Sequence, residues 1–298
     1  MTRHFINLLD HSTEELHKIL DCAAELKAER KAGGRRQPLM DKNLSMIFEK
    51  PSTRTRVSFE VAIRELGGHA LILQKYDLQL GRGETVADTA RVLSRYIDAI
   101  TLRCHSHSTL LELVEYSDVP VINALSDQFH PCQVMADVLT LQENLGDVTG
   151  KKIAWVGDGN NMCHTFMTAA HQLGFHLHIA TPKEFAPRLV LTENGVIHFH
   201  ETAEEAVKDA DAVITDTWVS MGDDDTLTRK KVFQDFRVDE ELMAYAKPEA
   251  VFLHCLPAHR GDEVTNEVLD GHQSVVFDEA ENRLHVQKAI LMWVFGLI

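Results

Sequence analysis

Residues 44–68 read Leu44-Ser-Met-Ile-Phe-Glu-Lys-Pro-Ser-Thr-Arg-Thr-Arg-Val-Ser-Phe-Glu-Val-Ala-Ile-Arg-Glu-Leu-Gly-Gly68 and contain one complete unit of an α/β fold. Leu44 to Phe48 is a short apolar run, as expected of a buried strand. Pro51-Ser52-Thr53-Arg54-Thr55 then opens a helix whose apolar positions Phe59, Ala62, Ile63 and Leu66 follow the i, i+3, i+4, i+7 pattern, and Gly67-Gly68 stop it. The hydroxyls of Ser52, Thr53 and Thr55, with the guanidinium groups of Arg54 and Arg56, therefore sit at a helix start. Free backbone N–H groups and the helix dipole favour an anion there, and arginine offers a planar fork suited to phosphate. Helix capping by Ser52 needs only one of these groups. The stretch lacks the GxxxxGK[ST] pattern of a Walker A loop.

The same alternation extends in both directions. Ser12 to Ala32 reads as a helix, Ala70 to Leu73 as a strand, and Asp77 to Glu84 as a polar loop. A helix with Val86, Ala90, Leu93 and Ile97 on one face follows, and then strands at 99–102 and 119–122. Val134 to Leu145 is a strongly amphipathic helix that reads as the link between two halves. Strands are expected at 152–156, 176–180, 196–199, 212–215, 251–254 and 274–277, and a last apolar helix at 279–295. The pattern predicts two doubly wound α/β domains with mainly parallel sheets and an interdomain cleft, where ligands collect at the C-terminal ends of strands. The boundaries fall at 1–133 and 134–278, with the C-terminal helix, 279–298, packing back on the first domain.

Composition narrows the function. The 298 residues carry 30 Lys and Arg against 45 Asp and Glu, a formal charge of −15. That balance argues against nucleic-acid binding and against anionic lipid surfaces. No apolar run is long enough to span a membrane, and the N-terminal stretch has no apolar core of a signal peptide. Five cysteines, odd in number and without CxxC, suit a reducing cytosol, so a cytoplasmic protein is expected. The alternating histidines His176/His178 and His198/His200 read as strand faces, because no HExxH or Cys/His ligand spacing accompanies them.

Other candidate groups lie at the ends of predicted elements. Arg103 follows the strand 99–102, where it either faces the cleft or is an ordinary surface arginine. In His130-Pro131-Cys132-Gln133, Pro131 suits a first helical position, so His130 and Gln133 flank a helix start. There they either donate to a carbonyl or phosphate oxygen, or His130 serves as a cap. Asp216 ends the strand 212–215 and could hold an ammonium group. The turn Ser220-Met221-Gly222 could offer backbone groups to a carboxylate. Cys255 ends the strand 251–254, as a cleft thiol or as a small buried hydrophobe, and Arg283 adds a cation to the last helix. Gly157-Asp-Gly-Asn-Asn161 sits between strand and helix like a dinucleotide fingerprint. However, Met162 occupies the third glycine position, and no acidic residue ends the next strand.

Together FEKPSTRTRVSFE (48–60), LQLGRGE (78–84), DTARVLSRYID (88–98), SDQFHPCQ (126–133), GDGNNM (157–162), DTWVSMG (216–222), HCLPAHRG (254–261) and AENR (280–283) resemble the aspartate/ornithine carbamoyltransferase family across nearly the whole chain. DxxxSMG with HCLP is similar to its ornithine-using branch. The resemblance implies carbamoyl phosphate and L-ornithine as substrates, L-citrulline and phosphate as products, no metal and no organic cofactor. Putrescine or acetylornithine is the alternative acceptor. The first domain would then bind carbamoyl phosphate through Ser52, Thr53, Arg54, Thr55, Gln79, Arg103, His130, Gln133 and Arg283, together with the Cys255-Leu256 backbone of the second domain. The second would bind ornithine through Asn161, Asp216, Ser220 and Met221. The catalytic set implied is Arg54, Arg103, His130, Asp216 and Cys255, with Cys255 handling a proton. The family also implies a homotrimer, or a multiple of trimers, whose sites are shared between subunits through Gln79.

Overall fold

The structure is a computed structural model that describes residues 2–79, 83–189, 191, 195–219 and 226–298. The chain forms two compact units, residues 1–136 with 282–298 and residues 137–281.

The first unit contains α1 (Thr13–Lys31), β1 (Asn43–Phe48), α2 (Thr53–Glu65), β2 (His69–Gln74), α3 (Val86–Leu93), β3 (Ala99–Arg103), α4 (His107–Tyr116), β4 (Val121–Leu125) and the start of α5 (Pro131–Leu145). Its four strands are all parallel, in the order β2-β1-β3-β4. Parallel strands covered on both faces are continuous apolar runs, and Leu44, Met46, Ile47 and Phe48 of β1 are buried. The four apolar positions read on α2, Phe59, Ala62, Ile63 and Leu66, are fully buried, each large one contributing about 1.5–3 kcal/mol. A reciprocal capping box of Ser12 and Glu15 starts α1. Helix α3 ends at Leu93, before Ile97; Ser94 is its C-cap, and its N–H and hydroxyl both donate to the Ala90 carbonyl.

The second unit contains β5 (Lys152–Val156), α6 (Asn161–Leu173), β6 (His176–Ala180), β7 (Ile197–His200), α7 (Ala203–Val207), β8 (Ala212–Thr215), α8 (Thr226–Val232), α9 (Glu240–Met243), β9 (Val251–His254), α10 (Asn266–Leu269) and the first part of α11 (Val276–Val294). Its five parallel strands run in the order β7-β6-β5-β8-β9. The order reverses at β5, so β5, β8 and β9 deliver their C-terminal loops to one edge.

The strand expected at Ser274 to Phe277 is not formed. Ser274 makes a single bridge to Phe252, and α11 begins at Val276 with Asp278 and Glu279 in its first turn. Those carboxylates favour a helix N-terminus, and Phe277 is exposed rather than buried in a sheet.

Candidate active site

The first unit gathers cations and polar hydrogens at the ends of β1, β3 and β4. Ser52 precedes α2 in an extended conformation, and its side chain makes no capping hydrogen bond. The hydroxyl and the first N–H groups of the helix are thus not spent on each other. Thr55 is buried, and its hydroxyl oxygen accepts from Arg283 Nη2 at 2.7 Å. The other prong of that fork, Nη1, donates to Gln133 Oε1 at 2.7 Å. Arg54 is half-buried, and its Nε has no partner among the described residues.

Arg103 ends β3, where a register shift at Leu102/Arg103 breaks the ladder with β4 and its carbonyl accepts from Glu49 N–H. His130 is buried, and its carbonyl accepts from Gln133 N–H at the start of α5. Burial, followed by the charges of Arg283 and Arg103, holds the His130 imidazole well below its usual pKa. The ring is therefore a neutral donor flanked by two guanidinium groups.

The arginine fork depends on how α11 is docked. Lys27 of α1 donates to Asn282, next to Arg283, at 2.7 Å, and both residues are buried. One turn further on, Lys288 reaches Glu65 at 3.1 Å, and Arg30 reaches the same carboxylate at 3.0 Å. Gln79 is exposed, and among the described residues no hydrogen bond joins it to this group.

The second unit gathers carboxylates and amides. Gly157 has φ +128°, and Gly159 lies so close to Phe185 and Pro187 that a Cβ would sit 2.3–2.4 Å from their backbone atoms. This close packing of loops accounts for both glycines without a dinucleotide. Asn160 caps α6, its Oδ1 accepting from Met162 and Cys163 N–H, while its Nδ2 donates to Asp216 Oδ2 at 2.8 Å. Asp216 is buried, and its Oδ1 accepts from Thr217 N–H at 2.8 Å and from the Cys255 thiol at 3.2 Å. Burial first, then the charges of Asp216 and Glu279, pushes the Cys255 thiol well above its usual pKa. The sulfur is therefore a protonated donor at neutral pH.

Next to it, Leu256 takes φ +55°, and its N–H donates to His254 Nδ1 at 2.9 Å. His254 Nε2 faces Glu263 Oε1 at 3.1 Å, both side chains fully buried. Asp216, His254 and Cys255 bring potential ligand atoms within 4.8 Å of one another. The Nδ1 lone pair of His254 is occupied by Leu256 N–H, and within the trio it is the Cys255 thiol and Asp216 that are hydrogen-bonded to each other.

The structure thus unites Thr55, Gln133, Arg283, His130 and Arg103 in one unit, and Asp216 with Cys255 and Leu256 in the other. Asn161 is the first residue of α6, one position from the contact to Asp216, which Asn160 makes. Ser220 and Met221 lie outside the described residues. Sequence reading missed Asn160, His254 and Glu263. Asn160 carried a usable signal, an amide directly before a helix.

Known proteins resemble the chain in sequence and in fold. Residues 3–143 match the family description "Aspartate/ornithine carbamoyltransferase, carbamoyl-P binding domain", and residues 149–294 match "Aspartate/ornithine carbamoyltransferase, Asp/Orn binding domain". The chain is 54% identical over 299 residues to an ornithine carbamoyltransferase of Mesorhizobium japonicum, covering 99% of both chains. It is 53% identical over 306 residues to one of Rhodopseudomonas palustris, covering 99% of this chain and 98% of that one. Among solved structures, the ornithine carbamoyltransferase of Pyrococcus furiosus superposes with TM-score 0.94 at 48% identity, over 100% of this chain and 98% of that one. The Burkholderia thailandensis enzyme gives 0.93 at 46% identity, over 99% of each. With both family descriptions matched in order and relatives this similar along the entire length, the chain belongs to the aspartate/ornithine carbamoyltransferase family.

Proposed function

We propose that this chain is an ornithine carbamoyltransferase, moving the carbamoyl group of carbamoyl phosphate to the side-chain amine of L-ornithine and releasing L-citrulline and phosphate. The observation that carries the reading is the pair of arginines, Arg103 and Arg283, around a buried neutral histidine, with Arg283 forked between Thr55 and Gln133. A site of that charge suits a phosphate dianion and an oxygen that becomes negative during reaction.

In this reading, the unit of residues 1–136 and 282–298 binds carbamoyl phosphate, and the unit of residues 137–281 binds ornithine. Ser52, Thr53, Arg54, Thr55, Arg103 and the N–H groups of α2 hold the phosphate oxygens. Arg54, Arg103, His130 and Arg283 stabilise the carbonyl oxygen as the amine attacks, and Gln133 orients the carbamoyl amide. The Cys255 and Leu256 backbone completes that set. The amine lone pair forms the new C–N bond, the C–O bond to phosphate breaks, and phosphate leaves with its electron pair, taking the second proton of the attacking nitrogen.

Ornithine's α-amino and carboxylate groups are fixed by Asn161, Asp216, Ser220 and Met221. Its reacting amine, with a pKa near the lysine value of about 10.4, arrives protonated. The Cys255 thiol already donates to Asp216. The amine's proton therefore passes to Sγ as the thiol's own proton passes to Asp216 Oδ1, and no covalent carbamoyl-enzyme is needed. His254 and Glu263 act as positioning residues that hold the Cys255-Leu256 turn.

We read the assembly as a homotrimer or a multiple of trimers. Large apolar side chains support a self-association face: Val57 on α2, Leu71 on the edge strand β2 and Tyr76 just after it are all exposed. Gln79, exposed in the same stretch, serves a neighbour's phosphate site. All five cysteines are free, which suits a cytoplasmic location. Among the described residues no helix is long and apolar enough to cross a membrane.

The deciding experiment is citrulline formation with ornithine, putrescine, acetylornithine and aspartate offered in turn. Ornithine is expected to give the highest kcat/KM without added metal or nicotinamide cofactor; a higher value for putrescine overturns the assignment. For the shared site, Gln79→Glu and Arg103→Ala trimers are each expected to be nearly inactive. Random reassembly of an equal mixture should restore about a quarter of all sites, by cyclic symmetry. Verified subunit exchange without recovery returns Gln79 to its own chain.

A further inference from the structure

Four histidines of the second unit take no part in the reaction described above. His176 and His178 occupy alternate positions of β6, and His198 and His200 alternate positions of β7, the edge strand. The register pairs His178 with His198 and Ala180 with His200, so all four rings share one face of the sheet. They stack as a ladder: His178 and His198 have ring centroids 4.4 Å apart, and His178 and His200 4.9 Å apart. Their nitrogens meet in pairs. His176 Nδ1 lies 3.1 Å from His198 Nε2, and His178 Nδ1 lies 2.7 Å from His200 Nε2. All four residues are half-buried, so solvent reaches them.

We propose that this ladder is a binding site for a borderline divalent transition-metal ion of the Zn²⁺, Ni²⁺ or Cu²⁺ class, held by His176 Nδ1 and His198 Nε2, with His178 and His200 as a second position. Two imidazole nitrogens at about 2.0–2.1 Å from one ion, at angles between square and tetrahedral, lie about 2.9–3.4 Å apart. The first pair already has that spacing, and the second must open by a few tenths of an ångström. In the metal-free ladder one N–H of each pair points at the other ring. On binding, that proton moves to the far nitrogen of its own ring. Both rings remain neutral, no proton is lost, and water fills the open positions. Imidazole selects these ions over Mg²⁺ and Ca²⁺, which prefer oxygen.

The neighbouring charges oppose one another. Lys152 of β5 pairs with His176 in register and disfavours a cation, although its ammonium is engaged by the Lys208 carbonyl. Glu205 of α7 acts on His200 with the opposite sign. The chain's net charge of −15 raises the local cation concentration. A bound ion would cross-link the edge strand to its neighbour in the folded state only, and so raise Tm.

The test uses the full-length protein, stripped by chelator and titrated with Zn²⁺ alone by calorimetry. Cu²⁺ is followed separately by electron paramagnetic resonance. Since Asp216 and Cys255 could also attract zinc, Cys255→Ser is titrated in parallel. Zinc binding is expected to persist in Cys255→Ser and to weaken at least tenfold in His198→Asn, with nitrogen hyperfine structure on bound Cu²⁺. Metal-free citrulline formation by His198→Asn should match the parent. Should that variant fail to fold, the unmodified protein decides: Zn²⁺ must protect His176 and His198 from diethyl pyrocarbonate, as mapped by peptide mass spectrometry. Loss of all binding in Cys255→Ser, unchanged affinity in folded His198→Asn, or absence of protection overturns the site.

Discussion

The two halves of the proposed site are built by opposite means. In the first unit the decisive contacts join residues far apart in the chain, Arg283 to Gln133 and to Thr55 at separations of 150 and 228 residues. In the second they join the loops of adjacent strands, Asp216 to Cys255 and Asn160 to Asp216 at separations of 39 and 56. The first half is cationic and needs buried helix docking to hold its charges together. The second is a carboxylate dressed with donors, and its geometry follows from the register of β5, β8 and β9. An anion pocket assembled from distant residues is thus sensitive to how the whole unit closes. A strand-end relay is sensitive to single atoms in its loops.

Removing the fork strikes the first half hardest. Arg283→Ala is expected to lower kcat by ~10²–10³-fold, the size of a lost oxyanion donor, and to raise the KM for carbamoyl phosphate. A folded variant with unchanged kcat would detach Arg283 from the reaction. Asp216→Asn is expected to cost about 10²-fold in kcat while leaving carbamoyl phosphate binding intact, measured by equilibrium titration with the substrate alone. Loss of that binding instead would mean that the two halves are not chemically separate.

The pKa directions sharpen the contrast. Cys255 should show no thiolate absorbance at 240 nm as pH rises to 9, because burial and Asp216 hold its proton. Early ionisation would replace the relay with a pre-formed thiolate. His130, with its pKa depressed, binds fewer protons folded than unfolded. Its contribution to stability is therefore complete above about pH 6.5 and lost as pH falls, at about 1.4 kcal/mol per pH unit below that value. His130→Gln should flatten the acid limb of a urea-denaturation series by that slope, and an unaltered slope would show the ring to be protonated in the native state. The smallest effect is structural. Lys27→Met should cost about 1–3 kcal/mol through loss of the buried hydrogen bond to Asn282, and should raise the KM for carbamoyl phosphate more than it changes the KM for ornithine.

How much could be read in the sequence follows the same division. The start of α2 and its four core positions were visible because a helix start and a helical period are local signals. Both sheets were visible as apolar runs separated by turns. Ser274 to Phe277 was misread because a short run rich in β-branched residues looks the same whether it makes one bridge or a full ladder. Gln133 and Arg283 were picked out separately, but nothing local announces that one guanidinium grips the other's amide. Glu263, in a loop nine residues after His254, reads as a solvated carboxylate until the fold buries it completely.

The placement of Arg283 and Lys288 on the final helix also sets an order of manufacture. A ribosome makes these two residues after both sheets are complete in sequence. Until they emerge, the nascent first unit carries Glu65 without its Lys288 partner, and Thr55 and Gln133 without the group that joins them. A chain cut short by its last twenty residues would retain every strand, Asp216 and Cys255, yet lack Arg283 and so the fork that joins Thr55 to Gln133. On the role proposed for Arg283, such a truncated chain is expected to form no citrulline, and an assay of that chain checks it.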